Sequence, residues 1–180
     1  IYNLISAQTQ TKRFKEKMPS KSLSPKPRSI ASKRTISIIA SLYNEDLVNS
    51  LLNSPVDELR RIIPGININV YRVPGAFEIP VCAKKLIDYN DVDTLIALGV
   101  IIKGETAHAE LVAQSVTQSL QEIATERKTP IIHEVLLTTN REQAVERCQG
   151  NKNRGIEAAK AAITMSELFS SLDAARNKNS

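Results

Sequence analysis

The densest chemistry in this chain lies in one short loop. Residues Gly99–Glu110 read G-V-I-I-K-G-E-T-A-H-A-E. An apolar run, Thr94–Ile102, breaks into a polar loop with Gly104, Thr106 and His108, and a long amphipathic pattern follows. His108 is one of only two histidines. Imidazole titrates near neutral pH, so it suits proton transfer. A helix that starts there points unpaired backbone N–H groups into the loop, which suits an anion, phosphate above all.

Three more loops follow apolar strands. They supply Tyr43-Asn44, the segment Pro74–Glu78 with Ala76, Phe77 and Glu78, and Thr138–Asn140. If the strands run parallel, all four loops share one sheet edge and could form a small-molecule pocket. Each residue also has a plain structural reading. His108 could bond a neighbouring carbonyl. Glu78 could serve only the helix dipole. Tyr43 could be a core aromatic with a wet hydroxyl. Lys103 at a strand end, and Arg147 among Glu142 and Glu146, could be ordinary solvated charges. His133, inside the apolar run I-I-H-E-V-L-L, could be a buried, hydrogen-bonded histidine, since no second metal ligand is spaced to help it.

The elements that must carry these residues follow from periodicity. Strands are expected at Thr35–Leu42, Ile66–Val73, Thr94–Ile102 and Pro130–Leu137. Helices are expected at Asp46–Ile63, Glu78–Tyr89, Thr106–Arg127, Glu142–Cys148 and Ile156–Leu172. Pro55 sits inside the first helical pattern and predicts a break or kink. Asn151–Gly155 reads as a polar loop. The order β-α-β-α-β-α-β-α-α implies a three-layer α/β/α sandwich around a four-stranded parallel sheet.

Composition narrows the classes. At 180 residues the chain holds one domain and an extension. No apolar run approaches the roughly 18–20 residues of a membrane span. Cys82 and Cys148 lack metal or redox spacing and read as reduced thiols in helices, with no metal site. G-x-G-x-x-G, G-x-x-x-x-G-K-[ST] and the serine nucleophile elbow are all missing.

Net charge is +5 but unevenly spread. Residues 1–34 hold nine basic side chains against Glu16 alone, while the remaining 146 residues carry 15 basic and 18 acidic ones. Residues 1–34 therefore read as a disordered basic extension, 35–172 as the domain and 173–180 as a polar tail. The extension suits a solvated leader, an organelle transit peptide or a tether to nucleic acid or an anionic surface. The chain opens on Ile, so Met18 is a candidate start.

Four blocks together carry a resemblance. They are S-L-Y-N-E at Ser41–Glu45, V-P-G-A-F-E-I-P at Val73–Pro80, L-G-V-I-I-K-G-E-T-A-H at Leu98–His108, and T-T-N-R-E-Q-A-V-E-R at Thr138–Arg147. The last is followed by N-R-G at Asn153–Gly155 and an Ala-rich helix. Over about residues 36–170 the chain resembles the 6,7-dimethyl-8-ribityllumazine synthases. The resemblance implies a flavodoxin-like fold and a condensation of 5-amino-6-(D-ribitylamino)uracil with 3,4-dihydroxy-2-butanone 4-phosphate, without cofactor or metal. It implies His108 as the proton-transfer residue and Arg147 as the phosphate holder, helped by Gly104, Glu105 and Thr106. It places Tyr43 against the pyrimidine ring with Asn44 beside it. Ala76, Phe77 and Glu78 fall along the ribityl chain, and Val100 and Ile101 meet the pyrimidine through backbone groups. It further implies a homopentamer with the pocket between subunits, where His133 replaces a neighbour's Phe and Arg154 is a basic residue approaching the site.

The chain also departs from the family pattern. His133 makes an apolar wall titratable, Ala-Glu-Leu follows His108, and Cys148–Arg154 is short and poor in Gly. The last point favours a pentamer, or two stacked, over a sixty-subunit shell. The alternative is a non-catalytic relative that binds a lumazine or flavin or serves as a scaffold. A cytoplasmic setting is expected, with organelle import the alternative if residues 1–34 act as a transit peptide, and neither membrane nor nucleic-acid binding is expected.

Overall fold

The computed structural model describes residues 34–89 and 92–178. The expected extension, up to residue 33, lies outside the described residues, as do residues 179–180 of the expected tail. The element order is β1 (Thr35–Ser41), α1 (Glu45–Ile62), β2 (Asn67–Val73), a 3-10 turn (Ala76–Glu78), α2 (Ile79–Tyr89), β3 (Thr94–Ile102), α3 (His108–Arg127), β4 (Ile131–Thr138), α4 (Arg141–Cys148), a 3-10 turn (Gly150–Lys152) and α5 (Arg154–Lys178). The four strands form one parallel sheet in the order β2-β1-β3-β4. The expected three-layer architecture is what the chain adopts. No described helix is long and apolar enough to cross a membrane.

Strand alternation divides the core into two layers. Ile36, Ile38 and Ala40 of β1 and Ile96, Leu98 and Val100 of β3 face α1, α4 and α5, where they meet Leu47, Leu51, Leu59, Ala158, Ala162 and Ile163. Ile39, Leu95, Ala97 and Val135 face the other way, onto Ile79, Ala83 and Leu86 of α2 and Val116 and Leu120 of α3. Full burial of each Leu or Ile here is worth about 1.5–3 kcal/mol. Gly99 sits where these layers close most tightly. A methyl group there would meet Val135 Cγ1 at 3.2 Å and Ile79 Cδ1 at 3.4 Å. The missing side chain therefore brings the start of α2 down onto β3.

Pro55 departs from expectation, because α1 runs through it unbroken. A proline removes one helical donor, so the carbonyl of Leu51 loses its i+4 partner. That part of α1 is covered by the start of α5. A methyl on Gly155 would lie 2.5 Å from both the Leu51 oxygen and Pro55 Cδ. Asn153, only 7% exposed, bridges the same junction. Its amide donates to the carbonyls of Ser50 and Cys148, and its oxygen accepts the N–H of Gly155. The junction thus packs tightly over the turn of α1 that holds the proline.

Other boundaries move less. Residues 76–78 form a 3-10 turn ahead of α2, so Glu78 precedes that helix. Helix α5 continues to Lys178, six residues past its expected end, and takes in the start of the polar tail. Cys82 and Cys148 lie in helices as free thiols. Burial, with the charge of Asp46 second, pushes the Cys148 thiol up to about 11, so it acts as packing rather than nucleophile.

Candidate active site

Strand order reverses direction between β1 and β3. The connection from β1 leads outward to β2, and that from β2 returns past β1 to β3. Parallel sheets bind ligands beyond the carboxyl ends of the strands at such a switch point, because the loops diverge and leave a crevice. A cavity of about 390 Å³ opens there. Tyr43, Ala76, Phe77, Val100, Ile101 and His108, all expected at the site, line it. Gly75, Ile102, Ala109 and Val112 complete the lining and were not singled out from sequence. Gly75 was legible within the V-P-G-A-F-E block. Ala109 and Val112 could have been found from helical phase, since they follow His108 by one and four residues on α3.

The loops are stitched to one another. Leu42 N–H donates to Val73 O at 2.7 Å and Tyr43 N–H to Pro74 O at 3.1 Å. Asn44 adopts the left-handed conformation, φ 56°, which Asn tolerates better than most side chains. It therefore does not cap α1. Its amide reaches across the crevice and donates to Val100 O at 2.9 Å. This bond joins the loop after β1 to the end of β3, and it holds Tyr43 at the rim. Tyr43 and Phe77 are 72% and 60% exposed, a costly presentation of two aromatic faces unless something stacks on them. The carboxylate of Glu78 folds back over Gly75, where a Cβ would meet its Oε2 at 3.0 Å.

His108 is the first residue of α3 and is exposed. Among the described residues its ring has no hydrogen-bond partner, so the simple carbonyl-bonded reading does not hold. Thr106 Oγ1 accepts only its backbone N–H, at 3.5 Å. Ala107 brings no side-chain cap to the helix. The N-terminal donors of a 20-residue helix thus open onto the exposed loop Gly104, Glu105 and Thr106. Lys103 is not merely solvated. It pairs with Glu110 at 2.8 Å and bridges the loop from strand end to first helical turn. That contact holds the Glu110 carboxyl below its usual range.

A larger groove of about 640 Å³ lies at the other end of the sheet, between the end of α3 and α5. It is bordered by Thr129 and Pro130 ahead of β4 and carries no acid–base residue besides Lys128. The smaller cavity is the better candidate, because the histidine, the aromatics and the free helix start converge on it.

Three expected residues lie elsewhere. His133 is on the edge strand β4, half-buried against α3. Its Nε2 lies 3.0 Å from Thr117 Oγ1, and the Thr117 hydroxyl proton is already given to Ala113 O at 2.8 Å. Nε2–H is therefore the donor. Burial pushes the His133 pKa down, so the neutral ring is favoured. Arg147 and Arg154 stand across the sheet, near Glu134 on the side of α4 and α5. Arg154 Nε lies 3.4 Å from Glu134 Oε2, and its NH1 pairs with Glu157. None of the three lines the cavity.

Residues 33–170 match the family model of 6,7-dimethyl-8-ribityllumazine synthase. The chain belongs to this family. The lumazine synthases of Burkholderia mallei strain SAVP1 and Burkholderia pseudomallei strain 668 are each 40% identical to it over 139 residues, 77% of this chain and 79% of each relative. The matched span runs from just ahead of β1 into α5, so it holds every strand and every loop around the cavity. The chain is thus an enzyme of the lumazine synthase type, acting in riboflavin biosynthesis. Within that family it carries His133 on an edge strand and two arginines remote from the cavity.

Proposed function

We propose that this lumazine synthase works as a homopentamer, with each site shared between adjacent copies. One copy supplies the cavity. Tyr43 stacks on the pyrimidine, and the backbone at Val100 and Ile101 meets its polar edge. Asn44 supports that edge from behind through its bond to Val100 O. Ala76, Phe77 and Glu78 run along the ribityl chain. The loop Gly104–Glu105–Thr106 and the start of α3 offer backbone donors to the phosphate.

The chemistry needs positioning and proton transfer more than a nucleophile. The amine of the ribitylaminouracil attacks the butanone carbonyl, and water leaves to form a Schiff base. Phosphate is then eliminated, and the second nitrogen attacks the remaining carbonyl and closes the ring as a second water leaves. Each step moves a proton, and the unpartnered ring of His108 stands at the cavity wall to move it. The neighbouring copy supplies Arg147 for the phosphate, with Arg154 behind it, and His133 as a polar wall. A cytoplasmic setting fits the two free thiols.

The observation that carries this reading is the split itself. His108 lines a cavity with exposed aromatics, while the cation expected to hold phosphate lies on the other side of the sheet. A second copy brings the two together. Turnover tests the reaction: the two substrates are mixed with the protein and lumazine absorbance is followed above the spontaneous rate. Formation that depends on His108 and Arg147 supports the reading. A rate at background, with the assembly intact, overturns it.

A further inference from the structure

We propose that Glu134 is a positioning residue that sets the anion affinity of the β4–α4–α5 face, holding Arg154 and leaving Arg147 as the guanidinium that takes phosphate. This rests on the phosphate role assigned to Arg147 above. Glu134 sits in the middle of β4 with its side chain 8% exposed. A buried carboxylate must be paired, and its partner is Arg154. Arg154 is engaged twice, by Glu134 at Nε and by Glu157 at NH1. Arg147 has no ion pair within 4 Å among the described residues, and it is exposed.

The two arginines that sequence places at the site are therefore not equivalent. One is a strut between β4 and the start of α5, and the other is free. Glu134 acts on both. The 3.4 Å contact is long for a charge-assisted bond, so Arg154 does not fully offset burial. Burial pushes the Glu134 carboxyl up, the charges of Arg154 and Arg147 pull it back, and Glu157 pushes it up again. Helix α4, which carries Arg147, packs against β4, which carries Glu134, so a phosphate on Arg147 would feel the Glu134 charge too. Phosphate is also a product and must leave. A fixed carboxylate behind its ligand weakens the hold without removing the ligand.

The test uses the full chain in its assembled state and inorganic phosphate as the probe, read as a competitive inhibitor. Glu134→Gln should tighten phosphate inhibition about 3- to 10-fold, since one nearby negative charge is lost. KM for the butanone phosphate should fall with it, while KM for the ribitylaminouracil stays constant. A purely structural defect would not divide the two substrates in this way. Unchanged or weaker inhibition in Glu134→Gln overturns the proposal.

Removing the pair together, Glu134→Gln with Arg154→Met, covers the case where the single variant does not assemble. Phosphate inhibition should then stay within about 3-fold of the native value, because the two charges cancel at a distance. A loss of tenfold or more would make Arg154 a direct phosphate ligand and overturn the proposal. Arg147→Ala separates this from the underlying reading. If that variant leaves phosphate inhibition untouched, the assignment of Arg147 fails, whatever Glu134 does.

Discussion

The cavity beside His108 is lined by aromatic, aliphatic and backbone groups with no carboxylate, lysine or arginine, and the Lys103–Glu110 pair lies outside that lining. Tyr43, Phe77 and the imidazole itself face solvent, and the polar work is done by backbone and by Asn44. Around Arg147 the surface is charged and cross-linked. Arg154 bridges Glu134 and Glu157, Lys152 pairs with Glu146, and Arg141 pairs with Asp46. On the proposed reading the first region binds by shape and stacking, the second by charge. A condensation that releases phosphate needs both, and one protomer keeps them on opposite sides of its sheet. Under the proposed shared site, the contrast means that a neighbouring copy completes what folding leaves apart.

The largest effect should come from breaking the neutral side. His108→Ala should lower kcat about 100-fold, as loss of a general acid–base does, with little change in either KM. Steady-state rates with each substrate varied would check this. A charged side that acts mainly in binding should answer differently. Arg147→Ala should raise KM for the butanone phosphate about 10- to 100-fold and leave kcat nearly unchanged. If both variants lower kcat alike, the division of labour fails.

Gly155→Ala sharpens the comparison through the fold. Its methyl would collide with the Leu51 oxygen and Pro55, so thermal or denaturant unfolding should show a loss of about 1–3 kcal/mol. The strain falls at the start of α5, beside Arg154. Phosphate affinity should therefore weaken before affinity for the pyrimidine does.

The smallest effect concerns His133. Its pKa is lowered in the folded state, so the unfolded chain takes up the proton first as pH falls. The stability that neutral His133 allows is complete above about pH 6.5 and is lost from there down toward the folded pKa. His133→Phe should flatten that part of the stability curve. Urea midpoints at pH 7.5 and 5.5 for the two proteins would show it.

The strands were legible because parallel, doubly covered strands are written as apolar runs, and β3 appears at its expected bounds. The cavity side was legible for a related reason. Its residues follow directly after strands, so their place at the sheet edge is fixed by topology. What sequence could not give depends on contacts between distant segments. Pro55 reads as a breaker until Gly155 is seen covering it, 100 residues on. Asn44 reads only as the neighbour of Tyr43 until its amide is found on Val100 O. Lys103 reads as a solvated charge until the loop brings Glu110 within 2.8 Å of it. Glu134 gave no signal in the linear sequence, because its role lies in which arginine it engages.

Subunit mixing tests the shared site most directly. His108→Ala and Arg147→Ala proteins, each nearly inactive with limiting phosphate substrate, would be unfolded or dissociated together and reassembled in equal amounts. If His108 and Arg147 come from adjacent copies, about a quarter of the interfaces should regain both native residues, and that share of activity should return. If the two residues serve the same site from one copy, mixing should restore nothing above the sum of the separate variants.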